Sequence, residues 1–115
     1  MAIKVYYLDD ESGLCDVFKE FIESDDIQVV TFTESPPAVS YALENPPDIM
    51  FIDYRLADTT GELVARKLDP RIPKILVTGE LAAPDTKLFY RVVSKPYRLK
   101  QLKEIIYEVL KLKLN

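Results

Sequence analysis

The sequence predicts an α/β fold in which a doubly wound, five-stranded parallel sheet carries helices on both faces. Short runs rich in β-branched and aromatic residues alternate with stretches whose apolar residues recur at helical spacing. Strict alternation of this kind is typical of parallel strands joined by crossover helices. The chain has 115 residues, of which 48% are apolar, so we expect one domain spanning 1–115 with one core.

The first half of the chain supplies two strands and two helices. Residues Ile3–Leu8 form a buried strand, and Ile27–Phe32 form the second strand. The helix between them follows from apolar residues at helical spacing, which are Leu14, Val17, Phe18, Phe21 and Ile22. The second helix begins with Ser35 as its N-cap and prolines in its first turn, where a missing N–H costs little. Its inward-facing residues are predicted to be Val39, Ala42 and Leu43.

The second half supplies the remaining elements. They are a third strand at Asp48–Ile52, a short third helix at Gly61–Leu68, a fourth strand at Lys74–Val77, a short fifth strand at Val92–Val93 and a final helix at Leu99–Leu112. Residues 80–90 contain Pro84 and leave room for about two helical turns. A fourth helix before the last strand is therefore expected to be shortened or missing.

The composition excludes several kinds of site. The chain contains no histidine, which rules out a histidine-based triad, a histidine metal site and a phosphohistidine of its own. A formal charge of −4 argues against direct nucleic-acid binding. A single cysteine, Cys15, suits a reducing cytoplasm, and no apolar run approaches the roughly 20 residues of a membrane span. We expect a cytoplasmic protein that does not bind membranes.

Polar residues follow the predicted strands at the edge where open α/β sheets form their sites. Asp9 and Asp10 follow the first strand, Asp53 the third, Thr78 the fourth and Lys95 the fifth. Carboxylates this close repel, since two unit charges about 4 Å apart cost about 4 kcal/mol at an effective dielectric near 20. Lys95 supplies one positive charge, and a hard divalent cation such as Mg²⁺ supplies the rest. A carboxylate in such a site can attack phosphorus and form an aspartyl phosphate.

This pattern resembles the receiver domain of two-component response regulators. The residues that carry the resemblance are Asp9-Asp10, Asp53 with Gly61 downstream, Thr78-Gly79 and Lys95-Pro96-Tyr97. The resemblance covers essentially the whole chain. It implies a flavodoxin-like sheet of order 2-1-3-4-5 and a cis peptide bond before Pro96.

The resemblance also implies a role for each site residue. Asp53 would accept the phosphoryl group, with Thr78 and Lys95 completing the catalytic set. The ligands of Mg²⁺ would be Asp10, Asp53 and the backbone carbonyl of Arg55 directly, and Asp9 through water. A histidine kinase or histidine phosphotransfer protein would donate the phosphoryl group, and a downstream protein partner would read the result. A homodimer stays open. The domain would catalyse its own phosphorylation and dephosphorylation without being a turnover enzyme.

The sequence departs from the family pattern at Ala57, at Val92 and in the short 80–90 segment. Ala57 stands where a proline is usual, and Val92 stands where the aromatic switch residue is usual. Arg55 and Glu80 occupy the two positions that tune hydrolysis of the aspartyl phosphate. Their opposite charges could pair across the site and shield the phosphate, so we expect slow autodephosphorylation. The short 80–90 segment predicts an altered output surface.

Two other functions compete with the phosphorylated receiver. Taken singly, the residues have ordinary interpretations, such as a helix cap for the acid pair. A receiver-like scaffold that binds partners without phosphorylation is favoured by Val92 and the short 80–90 segment, and opposed by the complete acidic set. A phosphohydrolase with an aspartyl nucleophile would need an acid at Arg55 and a cap domain, neither of which the sequence shows.

Overall fold

A five-stranded parallel sheet forms the centre of the computed structural model, which describes residues 2–79 and 87–114. Its elements are β1 (Ile3–Leu8), α1 (Ser12–Ile22), β2 (Ile27–Phe32), α2 (Ser35–Glu44), β3 (Ile49–Asp53), α3 (Gly61–Arg66), β4 (Lys74–Thr78), β5 (Arg91–Ser94) and α4 (Leu99–Leu114). The strand order is β2-β1-β3-β4-β5, and every pairing is parallel. The predicted fold class and strand order are therefore confirmed.

The central strands are covered on both faces, which explains why they are apolar almost throughout. All five residues of β3 are buried, and so are the last four of β1. Because successive strand side chains point to opposite faces, Tyr7 packs into the first apolar cluster, beside α1 and α4. Tyr6 packs into the second cluster, beside α2 and α3.

Helix α1 presents a narrow buried face to the first cluster. Its buried residues are Cys15, Phe18 and Ile22, which lie at helical spacing. Cys15 is a packing residue, and burial raises the pKa of its thiol to about 11. Val17 and Phe21 belong to the same apolar pattern in the sequence, but they are 49% and 44% exposed.

Two local predictions for α2 are wrong. Ser35 is the first helical residue and makes no cap hydrogen bond; its hydroxyl lies 3.0 and 3.2 Å from the two carboxylate oxygens of Asp58 and donates there. Leu43 does not face inward, since it is 60% exposed. The inward face consists of Ala38 and Ala42, whose small side chains let the helix approach the sheet closely, and the predicted Val39 packs beside them, partly buried.

Helix α3 begins where the backbone comes closest to β3. A Cβ atom added at Gly61 would collide with the backbone oxygen of Asp53 and lie 3.0 Å from the side chain of Ile52. A glycine is therefore required at this position by space. The helix ends at Arg66 and not at Leu68, a difference of the size usual for helix ends.

The connection from β4 to β5 agrees with the prediction where it is described. Residues 87–90 form a turn and a bend, and no helix lies between the two strands in the described part of the chain. Residues 80–86, including Pro84, lie outside the described residues. No helix in the described ranges combines the length and the apolarity that a membrane span needs.

Candidate metal centre

Three carboxylates converge at the carboxyl ends of β1 and β3. Asp9 and Asp10 directly follow β1, and Asp53 is the last residue of β3. Each offers one oxygen atom that lies within 4.8 Å of the other two. Asp9 is fully buried, Asp53 is 7% exposed and Asp10 is exposed. The structure thus brings together the three acids that the sequence singled out.

Lys95 places a positive charge among these acids. Its Nζ lies 2.9 Å from Oδ1 of Asp53 and 3.6 Å from Oδ2 of Asp9. The backbone N–H of Lys95 donates to the carbonyl oxygen of Thr78 at 2.8 Å, which ties the loop after β5 to the end of β4. The peptide bond between Lys95 and Pro96 is cis, as the family resemblance implied. Thr78 is buried at this same edge of the sheet.

The electrostatics of the site are dominated by crowded negative charge. Burial raises the pKa of the Asp53 carboxyl, the hydrogen bond from Lys95 opposes this, and the charge of Asp9 raises the pKa further. Burial lowers the pKa of the Lys95 ammonium, but the hydrogen bond to Asp53 and the charge of Asp9 outweigh it, so its pKa is raised overall. The acids therefore outnumber the charges that compensate them, which favours the binding of a cation.

The site also includes two tyrosines that the sequence analysis did not assign to it. The Tyr7 hydroxyl lies 3.1 Å from Oδ2 of Asp9 and 2.6 Å from the hydroxyl of Tyr97. The other oxygen of Asp9 accepts from the backbone N–H of Glu11 at 3.0 Å. Burial, first, and the negative charge of Asp9 raise the pKa of the Tyr7 hydroxyl. One signal was present in the sequence: Tyr7 precedes Asp9 by two strand positions, and a buried phenol requires a partner.

A cleft of about 350 Å³ opens beside the acids. Residues of the predicted site that line it are Asp10, Asp53, Arg55, Thr78 and Lys95. Asp9 lies beneath the cleft, fully buried. Carboxylate oxygens are the donors that hard cations such as Mg²⁺ prefer. The donor set and the adjacent space therefore fit Mg²⁺ and one phosphoryl group.

Of the positions weighed against the family pattern, Arg55 lines this cleft. Arg55 is exposed in the loop after β3, where its backbone forms an antiparallel bridge with Thr60. Val92 pairs with Leu76 in the sheet and is 37% exposed. Glu80, the other predicted tuning residue, lies outside the described residues.

Comparisons with known sequences agree on one family. A family model described as the response regulator receiver domain matches residues 5–107. The chain is 26% identical to the transcriptional regulatory protein CreB of Escherichia coli (strain K12), over 81% of this chain and 44% of that protein. It is also 26% identical to the transcriptional regulatory protein CssR of Bacillus subtilis (strain 168), over 97% of this chain and 52% of that protein. The chain spans about half the length of these curated relatives.

Solved structures of receiver domains share this fold. A CheY-like receiver domain protein from Methanospirillum hungatei JF-1 superposes with a TM-score of 0.88 at 21% identity, covering 97% of this chain and 96% of the other. A CheY-like receiver domain from Methylobacillus flagellatus gives a TM-score of 0.83 at 20% identity, covering 95% and 99%. At these identities the likeness shows the fold alone.

Proposed function

The chain belongs to the response regulator receiver domain family, and from this premise we propose that Asp53 accepts a phosphoryl group from a phosphohistidine of a partner protein, with Mg²⁺ bound at the acidic site. The observation that carries the proposal is the contact of 2.9 Å between Lys95 Nζ and Asp53 Oδ1, beside two further carboxylates. Receiver domains as a family typically bind Mg²⁺ at such an acidic site. The family also implies histidine kinases or histidine phosphotransfer proteins as donors.

The chemistry follows from the residues of this chain. A carboxylate oxygen of Asp53 attacks phosphorus while the bond from phosphorus to the imidazole nitrogen breaks, and the electron pair leaves with that nitrogen. The Lys95 ammonium and the Thr78 hydroxyl stabilise charge on the phosphoryl oxygens. Asp10, Asp53 and the Arg55 carbonyl would hold Mg²⁺ directly. Held by these residues, Mg²⁺ would supply positive charge against the negative charge of the transferring group.

The state of Asp53 would be read by a downstream protein partner. Phosphorylation replaces the single negative charge of the Asp53 carboxylate by a phosphoryl group of about −1.5 to −2 at neutral pH, and it adds three acceptor oxygens. Such a local change can bias a two-state surface that the partner recognises. Both curated relatives are named transcriptional regulatory proteins. The downstream partner of this chain would determine the pathway in which it acts. The buried free thiol of Cys15 suits the cytoplasm as the site of action.

The first prediction tests the acceptor directly. The chain is incubated with Mg²⁺ and a small phosphodonor such as acetyl phosphate, and its intact mass is measured. We expect one added phosphoryl group in the parent and none in Asp53→Ala, because the nucleophile is absent in the variant. An exposed acid on α1 provides the matched control, so Asp16→Ala should be phosphorylated like the parent. A phosphorylated Asp53→Ala variant would refute the assignment.

A second prediction concerns the lifetime of the phosphate. Arg55 lines the cleft beside Asp53, and its pairing with Glu80 would exclude attacking water. We propose that the double variant Arg55→Ala/Glu80→Ala hydrolyses its aspartyl phosphate faster than the parent. The measurement is the loss of phosphorylated mass after removal of the phosphodonor. An unchanged rate would show that the two residues do not shield the phosphate.

One observation favours a second candidate function, a scaffold that binds partners without phosphorylation. Val92 stands on β5 where the family usually has the aromatic residue of its switch. A titration with beryllofluoride and Mg²⁺ distinguishes the two functions, since a working acceptor site gives a saturable response. A chain that binds its partner equally with and without beryllofluoride would support the scaffold.

A further inference from the structure

The hydroxyl of Tyr7 lies inside the first apolar cluster with two polar neighbours. The ring is 1% exposed and stacks on Phe18 with ring centroids 4.3 Å apart. A phenol buried this deeply requires hydrogen-bond partners, because an unpaired polar group in an apolar core is costly. Its partners are Oδ2 of Asp9 at 3.1 Å and the hydroxyl of Tyr97 at 2.6 Å.

The chemistry of the groups sets the direction of these two bonds. A carboxylate accepts hydrogen bonds and cannot donate them. Tyr7 has a single hydroxyl proton, which it therefore donates to Asp9. The bond between the two phenols must then be donated by Tyr97. The result is two successive hydrogen bonds: Tyr97, in the loop after β5, donates to Tyr7 on β1, and Tyr7 donates to Asp9.

The hydrogen bond from Tyr7 gives the second oxygen of Asp9 a partner, in a carboxylate that solvent does not reach. Oδ1 of Asp9 accepts from the backbone N–H of Glu11, and Oδ2 accepts from Tyr7. Lys95 lies 3.6 Å from Oδ2, longer than a normal hydrogen bond, and makes its shorter contact of 2.9 Å with Asp53. Without the Tyr7 hydroxyl, Lys95 would be the one partner left to Oδ2 of Asp9 among the residues that the structure describes. Lys95 would then be shared more evenly between the two acids.

We propose that Tyr7 is a positioning residue for the metal site: it orients Asp9 toward Mg²⁺ and leaves Lys95 to Asp53, and Tyr97 supports it from the loop after β5. The inference rests on the proposed function, since it assumes that the acidic site holds Mg²⁺. Hydrogen bonds to metal-site ligands from outer residues commonly change metal affinity by about 10–100-fold. Among the described residues, Tyr97 makes a hydrogen bond to Tyr7 and none to Asp9, so its contribution depends on the Tyr7 hydroxyl.

The test is a calorimetric Mg²⁺ titration of the full chain and its tyrosine variants. We expect Tyr7→Phe to weaken Mg²⁺ binding by about tenfold, and Tyr97→Phe to weaken it by a smaller factor. The double variant should bind like Tyr7→Phe, because Tyr97 acts only through Tyr7. Binding by Tyr7→Phe equal to that of the parent overturns the proposal, as does a further loss on adding Tyr97→Phe.

The neighbouring Tyr6 offers a matched control. It is also 1% exposed, and its hydroxyl also donates a hydrogen bond, to the carbonyl oxygen of Asn45. It lies on the opposite face of the sheet, in the second cluster. Tyr6→Phe should therefore lower the free energy of unfolding while leaving Mg²⁺ affinity unchanged. If Tyr6→Phe weakens Mg²⁺ binding as much as Tyr7→Phe, the effect is general destabilisation and the proposal is overturned.

Phosphorylation of the same samples separates this inference from the proposed function. Mg²⁺ binding that depends on Tyr7, in a parent that acetyl phosphate does not phosphorylate, would support the positioning role and refute the phosphoacceptor. A phosphorylated parent whose Tyr7→Phe variant is unchanged in metal affinity and phosphorylation rate would refute the positioning role alone. A parent that binds no Mg²⁺ overturns the positioning role.

Discussion

Asp53 is buried beside two other acids with one lysine to balance them. Its carboxylate lies in a group of three whose oxygens are within 4.8 Å of one another. Burial raises the pKa of this carboxyl, and the opposing hydrogen bond from Lys95 does not fully compensate. The folded state therefore binds a proton at Asp53 more tightly than the unfolded state does. Without a metal, the ionised carboxylate destabilises the fold at neutral pH.

A variant that removes this charge should be more stable than the parent when Mg²⁺ is absent. We expect Asp53→Asn to raise the free energy of unfolding at pH 7 by on the order of 1 kcal/mol, since it keeps the shape and removes the repulsion. Because the folded pKa is raised, the difference should shrink as pH falls through the folded pKa, and it should be gone below the unfolded carboxyl value near 3.9. Urea unfolding of the parent and the variant, at pH 7 and below the unfolded carboxyl pKa, measures this difference in the free energy of unfolding. Asp16→Asn, on the exposed face of α1, should not change stability, and a less stable Asp53→Asn would contradict the argument.

The contact between α3 and β3 positions the acceptor. The first residue of α3, Gly61, donates its N–H to the carbonyl of Tyr54 at 2.7 Å, immediately after the end of β3. The neighbouring carbonyl of Asp53 occupies the space that a Cβ at Gly61 would need. A helix start at this distance thus fixes the backbone that carries the nucleophile. The packing of one element on another determines where the carboxylate lies.

Adding one methyl group at this contact should disturb both stability and chemistry. We expect Gly61→Ala to lower the free energy of unfolding by about 1–3 kcal/mol, the usual cost of overpacking. It should also slow phosphorylation, because the Asp53 backbone must move. Gly13, in α1, provides the control: a Cβ there meets nothing within 4 Å. Gly13→Ala should gain up to about 1 kcal/mol from helix propensity. Equal urea midpoints for the two variants would refute the steric argument.

Across the whole molecule, the predictions that succeeded and failed differ in the range of the interactions they need. Strands and helices follow from local periodicity, and the three acids follow from the rule that parallel strands end at one edge. The partner of Ser35, which is Asp58, depends on tertiary packing that a capping pattern does not contain. The exposure of Leu43 depends on which side of α2 meets the sheet. The bond between Tyr7 and Tyr97 joins residues 90 positions apart, and apolar patterning does not represent hydroxyl chemistry.

The two apolar clusters share one sheet, so a ligand at its edge should stabilise the molecule as a unit. Tyr7 and Tyr6 are neighbours on β1 yet serve different clusters, which makes separate unfolding of either cluster costly. At a Mg²⁺ concentration 100 times the dissociation constant, we expect the free energy of unfolding to rise by about 2.7 kcal/mol.

The Mg²⁺-dependent rise in the free energy of unfolding should be the same for both clusters. Urea unfolding followed by far-UV circular dichroism and by methyl resonances measures it. Met50 reports on the second cluster and Ile105 on the first. Asp10 is exposed at the rim of the site, so Asp10→Asn should remove the response to Mg²⁺ while leaving the metal-free transition nearly unchanged. A Mg²⁺ shift seen by one methyl group and not by the other would show that the clusters unfold separately, because a single cooperative transition requires all probes to coincide.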